Sequence, residues 1–102
     1  MTTGLRYFAV LLAASVFAAE IPSPALLVLN KEEATLATVD PATGKVAGRV
    51  STGEGPHEVA VSADGRQAFV TNYGSRTPGS TLSIIDIAGQ KEIHRFDLYD
   101  LS

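Results

Sequence analysis

Two histidines, eleven carboxylates and no cysteine bound the chemistry open to this chain. His57 is the sharpest candidate, because an imidazole near neutral pH can ligate a metal, act as a general base or donate a hydrogen bond. It follows Gly55-Pro56 and sits where a strand begins, so the competing role is a cap that bonds a backbone group. As part of a repeated segment, it is weighted towards that structural role. Glu58 beside it supplies no metal spacing by itself, since neighbouring strand residues point to opposite faces. Tyr73 and Arg76 complete the candidates for a binding surface. Arg76 stands out because it lies in a four-residue insertion outside the repeat, where arrays often carry binding residues, although a tolerated surface loop explains it too. His94 falls on a late strand, where a solvated side chain is the ordinary reading. Asn30 and Asn72 recur at equivalent strand ends and read as loop caps, and Asp40 and Asp86 read as turn formers.

No G-x-S-x-G, H-E-x-x-H, phosphate-binding glycine loop or acidic calcium loop occurs. Without cysteine there is no disulfide, thiolate metal site, cysteine nucleophile or C-x-x-C-H haem attachment. No residue is therefore assigned as catalytic, cofactor-binding or metal-binding, and no cofactor is expected. The formal charge is −3, with no basic tract and no aromatic-basic interleaving, which argues against a nucleic-acid partner. The expected partner is a small molecule or a protein.

Residues 1–18 have the order of a secretory signal peptide. Arg6 gives the positive start, Tyr7 to Phe17 is almost uninterruptedly apolar, and Ala18-Ala19 are small. Cleavage is placed after Ala18, with Ala19 the alternative. The apolar run falls short of the roughly 18 residues of a spanning helix, so no membrane span is expected in the mature chain. Export to the periplasm, cell surface or medium follows. Residues 19–25 form an extended leader, since Pro22 and Pro24 both block helix.

The remainder reads as short strands and turns with no useful helical period. Leu26–Leu29, Thr35–Val39 and Val46–Val50 come first, closed by an Asp40-Pro41-Ala42-Thr43-Gly44 turn in which Gly44 can take a positive φ. Glu58–Ser62 and Gln67–Asn72 flank the hairpin signal Asp64-Gly65, a loop spans Tyr73–Ser80, and strands Thr81–Ile87 and Lys91–Leu98 follow.

These segments repeat. Leu27-Val28-Leu29-Asn30 matches Phe69-Val70-Thr71-Asn72 at an offset of 42, and Thr35–Asp40 matches Thr81–Asp86 at an offset of 46. Lys45 and Arg49 match Lys91 and Arg95 at the same offset. A period in the low forties built from four short strands is the signature of a propeller blade. The fold class is all-β: a partial β-propeller of about one and three-quarter four-stranded antiparallel blades, after the signal helix. Residues 26–50 make an incomplete first blade of three strands, lacking the innermost one. Residues 51–102 make a second blade of four strands with a truncated C-terminus. A ring needs about four or more blades, so further blades are expected from a longer chain or from other copies. Otherwise Val59, Val61, Phe69, Ile84 and Ile85 would face no neighbour. Meander parity gathers His57, Glu58, Asn72, Tyr73 and Arg76 on the face of the longer loops, with His57 and Glu58 nearest the channel.

Gly55-Pro56-His57-Glu58-Val59-Ala60-Val61-Ser62-Ala63-Asp64-Gly65, followed by Ala68-Phe69-Val70-Thr71-Asn72, resembles the repeat of the YVTN family of bacterial β-propellers. Phe69 stands for that motif's tyrosine and Ala63 for the proline of its Ser-Pro-Asp-Gly turn. Thr35–Asp40 and Thr81–Asp86 resemble its Val-Ser-Val-Ile-Asp segment. The resemblance spans Leu26 to Leu98 and implies an exported ring of about seven blades. A clear repeat with an export signal and no catalytic set leads to the expectation of a non-catalytic ligand- or protein-binding scaffold. Lactonase-like hydrolases with a metal at the channel mouth, and propeller domains of periplasmic metal-cofactor reductases, are the family's alternatives.

Overall fold

The computed structural model describes residues 20–100. The signal segment and its cleavage residues, Ala18 and Ala19, lie outside the described residues. Seven strands follow in order: β1 Leu26–Asn30, β2 Thr35–Val39, β3 Val46–Ser51, β4 Pro56–Val61, β5 Gln67–Gly74, β6 Pro78–Asp86 and β7 Lys91–Asp97. A single 3₁₀ turn, Leu98–Asp100, closes the described chain, and no α-helix occurs among these residues. The strands form two antiparallel meanders, a three-stranded sheet β1-β2-β3 and a four-stranded sheet β4-β5-β6-β7.

Local chemistry explains the turns. Asp40 Oδ1 accepts from the Ala42 amide at 2.9 Å, and Gly44, at φ +74°, donates to the Asp40 carbonyl at 2.7 Å. In the β4–β5 turn, Ser62 Oγ donates to Asp64 Oδ1 at 2.7 Å and the Arg66 amide donates to the same oxygen at 3.0 Å. These two donors hold the exposed Asp64 carboxyl below its ordinary pKa, the serine contributing most.

The second meander reproduces the first pair for pair. Leu27 opposite Thr38 becomes Phe69 opposite Ile84, and Leu29 opposite Leu36 becomes Thr71 opposite Leu82. Leu36 opposite Val50 becomes Leu82 opposite Phe96, and Ala37 opposite Arg49 becomes Ser83 opposite Arg95. Even the register irregularity recurs, between Thr38 and Val39 in one sheet and between Ile84 and Ile85 in the other. Sheet 2 has β4 in addition.

The sheets lie face to face, β1 against β4 and β3 against β7. Between them Leu36, Val50, Ala68, Val70, Ile85 and Ile87 form the buried core, with Leu27, Leu29 and Val59 packed at its edge. Each fully buried Val, Leu or Ile contributes about 1.5–3 kcal/mol, so this core is modest. The leader joins it through Ile21. Gln90, in the β6–β7 turn at φ +52°, reaches across the joint and donates from Nε2 to Thr38 Oγ1 at 3.1 Å. Its side chain occupies the space over Gly48, where a Cβ would overlap Gln90 Oε1.

Three expectations are corrected. Tyr73–Ser80 is not one loop: β5 and β6 extend until Gly74 pairs with Pro78, leaving Ser75, Arg76 and Thr77 as the tip. The insertion therefore lengthens a hairpin, because Gly74 can adopt φ +86° beside Gly79. Val59 and Ile85 do not face outward, since both stand on the joint side, Ile85 fully buried. Of the residues expected to lack a neighbour, Phe69 and Ile84 occupy the uncovered face, half-buried by sheet neighbours alone. Finally, Asn72 is not a loop cap. It is 1% exposed and donates from Nδ2 to Thr81 Oγ1 and Ser83 Oγ, both at 3.0 Å. Asn30, on the exposed side of its sheet, does cap its turn: its Oδ1 accepts the Glu33 amide and its Nδ2 donates to Glu33 Oε1.

Candidate functional site

Three of the four candidate binding residues converge. The link into β4 is clamped onto the β5–β6 hairpin by two backbone bonds, Tyr73 N to Gly55 O and Gly74 N to Glu54 O, both 2.9 Å. Gly55, at φ +65°, lies so close that a Cβ there would overlap the Gly74 carbonyl oxygen. The clamp sets the start of β4 beside Tyr73. The register then slips: Pro56 opposes Asn72 and Glu58 opposes Thr71, so His57 is the extra residue of a bulge. Strict alternation would send His57 and Glu58 to opposite faces. The bulge breaks it, and both side chains reach Tyr73.

His57 lies flat on the Tyr73 ring, with centroids 4.5 Å apart and planes 4° from parallel. The Tyr73 hydroxyl donates to Glu58 Oε1 at 2.9 Å. That bond, and the negative charge of Glu58, push the Tyr73 phenol above its ordinary pKa, because a phenolate would repel the carboxylate. Tyr73 nonetheless remains 51% exposed. The result is a solvent-facing aromatic pair, braced from one side by a carboxylate. Such a pair offers a flat surface to planar or apolar ligand groups, with an imidazole at its edge for hydrogen bonding.

Arg76 stands apart from this group. It sits at the hairpin tip, makes no hydrogen bond or ion pair among the described residues, and lines a cleft of about 450 Å³ between the sheets. Lys31, Glu32 and Glu54 share that cleft. Neither Lys31 nor Glu54 was singled out from sequence, where each reads as an ordinary loop charge. His94 packs against Phe96 with centroids 4.2 Å apart, on an exposed outer strand. Among the described residues no group of three or more His, Asp or Glu side chains is placed to hold a metal ion, and no helix is long and apolar enough to cross a membrane.

By fold, the chain is an all-β protein of two internally repeated antiparallel sheets. No protein-family model and no curated protein matches it. Among solved structures it is similar to the hydrazine synthase of Kuenenia stuttgartiensis, with 31% identity and a TM-score of 0.62 over 70% of this chain. The match covers 19% of the synthase chain, so this chain spans about a fifth of that protein's length.

Proposed function

We propose that the two sheets are consecutive blades of an exported β-propeller, of the YVTN type that the sequence resembles, and that it serves as a non-catalytic binding scaffold. The observation that carries this reading is the pair-for-pair recurrence of strand register, bulge included, at the spacing of one blade. The similarity of the fold to a solved structure, at a TM-score of 0.62 over 70% of this chain, supports the two-sheet architecture. Export rests on the order of charged, apolar and small residues from Met1 to Ala19.

The binding surface assigned is the His57–Tyr73 pair with Glu58. Its aromatic face is exposed but its phenol proton is already committed to Glu58, an arrangement suited to holding a ligand more than to turning one over. The test is calorimetric titration of the full chain with a panel of oligosaccharides, peptides and lactones, beside hydrolysis assays on the same panel. Binding without turnover, lost in Tyr73→Ala, is the expected result. Turnover of any lactone would overturn the scaffold role.

A further inference from the structure

The cleft of about 450 Å³ between the sheets opens between the turn that follows β1 and the tip of the β5–β6 hairpin. On its floor lie Ala34, Gly55 and Gly74, all at left-handed φ (+55°, +65° and +86°) and none with more than one side-chain carbon. Backbone hydrogen bonds fix all three: Thr52 N to Ala34 O, Tyr73 N to Gly55 O and Gly74 N to Glu54 O, each 2.9 Å. The cleft is therefore shaped before anything enters it, and no bulky side chain rises from its floor.

Its walls are charged. Lys31 and Glu32 stand on the sheet 1 side, Glu54 and Arg76 on the sheet 2 side, and all four are exposed. Each wall thus carries one charge of either sign. None of these four side chains makes a hydrogen bond or ion pair among the described residues, where the ion pairs are Arg66–Asp64 and Arg95–Glu92. Nor does the repeat call for the two cations. Lys31 stands where the second sheet has Tyr73, and Arg76 lies in the four-residue insertion.

We infer that this cleft binds a small zwitterion of the amino-acid or short-peptide kind, its carboxylate held by Arg76 and Lys31 and its ammonium by Glu54 and Glu32. A planar guanidinium holds a carboxylate through two parallel hydrogen bonds, and an ammonium brings three donors to the two glutamates. The four formal charges cancel, so the cleft has no excess of one sign for a phosphate or a bare metal ion. A ligand carrying both charges satisfies both walls. The volume falls within the roughly 300–1,000 Å³ of ligand pockets, with room for a few small residues. The site shares no residue with the His57–Tyr73–Glu58 group and does not require the sheets to be blades of a ring.

Triglycine titrated into the ¹⁵N-labelled full chain tests the inference, beside triglycine amide and N-acetyltriglycine, which each lack one charge. Triglycine should shift the Ala34, Gly55, Gly74 and Ser75 amides, and either blocked form should bind about tenfold or more weakly. Arg76→Gln should narrow the gap between triglycine and its amide, and Glu54→Gln the gap between triglycine and its N-acetyl form. Both side chains are exposed, and the blocked ligands put the same question to the unaltered chain. Free glycine carries the same two charges and separates the sources: equal affinity makes the occupant an amino acid, weaker affinity a peptide. No shift at these amides up to about 10 mM triglycine, or equal affinity for the blocked forms, overturns the inference. Loss of binding in Tyr73→Ala also overturns it, because triglycine would then lie on the aromatic surface. Binding kept in that variant leaves the cleft standing whatever becomes of the His57–Tyr73 surface.

Discussion

The imidazole of His57 is stacked on the ring of Tyr73 at 4.5 Å, two residues from opposite sides of a hairpin brought together by a bulge. The stack depends on backbone placement. Glycine at 55 and 74 lets the β4 entry press against the β5–β6 hairpin, and Glu58 then fixes the tyrosine's far end.

The first prediction concerns Glu58. The raised Tyr73 pKa means that the folded state holds the phenol proton more tightly than the unfolded chain. Its stabilising effect is therefore complete below the unfolded value near ~10 and is lost as pH rises through the folded value. In Glu58→Gln the charge is gone, and the Tyr73 titration followed by ¹³C NMR of labelled tyrosine should move down towards the ordinary range. An unmoved titration would show that Glu58 does not set it.

Glycine substitutions separate conformation from contact. Gly44 and Gly65 have positive φ but open space around them, so alanine there should cost only the left-handed strain, about 1–2 kcal/mol. Alanine at Gly55 or Gly74 adds an overlap with backbone and should cost clearly more, read as a lower urea midpoint at unchanged m. Equal losses at all four sites would remove the clamp from the account of the site.

In the core, Leu36→Ala and Ile85→Ala should each destabilise by about 2–5 kcal/mol, since both side chains are fully buried in the joint. Val28→Ala, at a position 41% exposed on sheet 1, should lie within about 0.5 kcal/mol of wild type. Chemical denaturation checks all three.

Gln90→Ala removes the hydrogen bond that spans the two sheets while keeping the strained backbone. A loss of about 0.5–1.5 kcal/mol is expected, together with faster amide exchange in β2 and β3. Exchange unchanged in sheet 1 would mean that the turn does not hold the joint.

At Asp64 the sign is opposite to that at Tyr73. A lowered carboxylate pKa favours the folded state above the unfolded value and is lost as pH falls through the folded value. Ser62→Ala removes the main donor, so the Asp64 titration followed by carboxyl NMR should shift upward towards the ordinary range.

What the sequence determined by itself was everything encoded in neighbours along the chain. Short apolar runs between turn signals marked all seven strands, and Asp-Gly and Asp-Pro-x-x-Gly marked the turns, because strand propensity and turn dihedrals are local properties. The repeat followed from the same residues and anticipated the paired registers. His57, Glu58 and Tyr73 were legible as candidates, but their meeting was not, because alternation assigns His57 and Glu58 to opposite faces and only a register slip against β5 overrides it. Tertiary structure also decided which face is buried. Both faces of each sheet are apolar enough to pack, so Ile85 and Ile84 look alike in the chain; the position of sheet 1 buries the first and leaves the second open. Asn30 and Asn72 differ too. Asn30 ends β1 and caps the turn that follows, whereas β5 runs on to Gly74, so the matching Asn72 lies within a strand, buried in the joint as a hydrogen-bonding centre, and that depends on contacts distant in sequence.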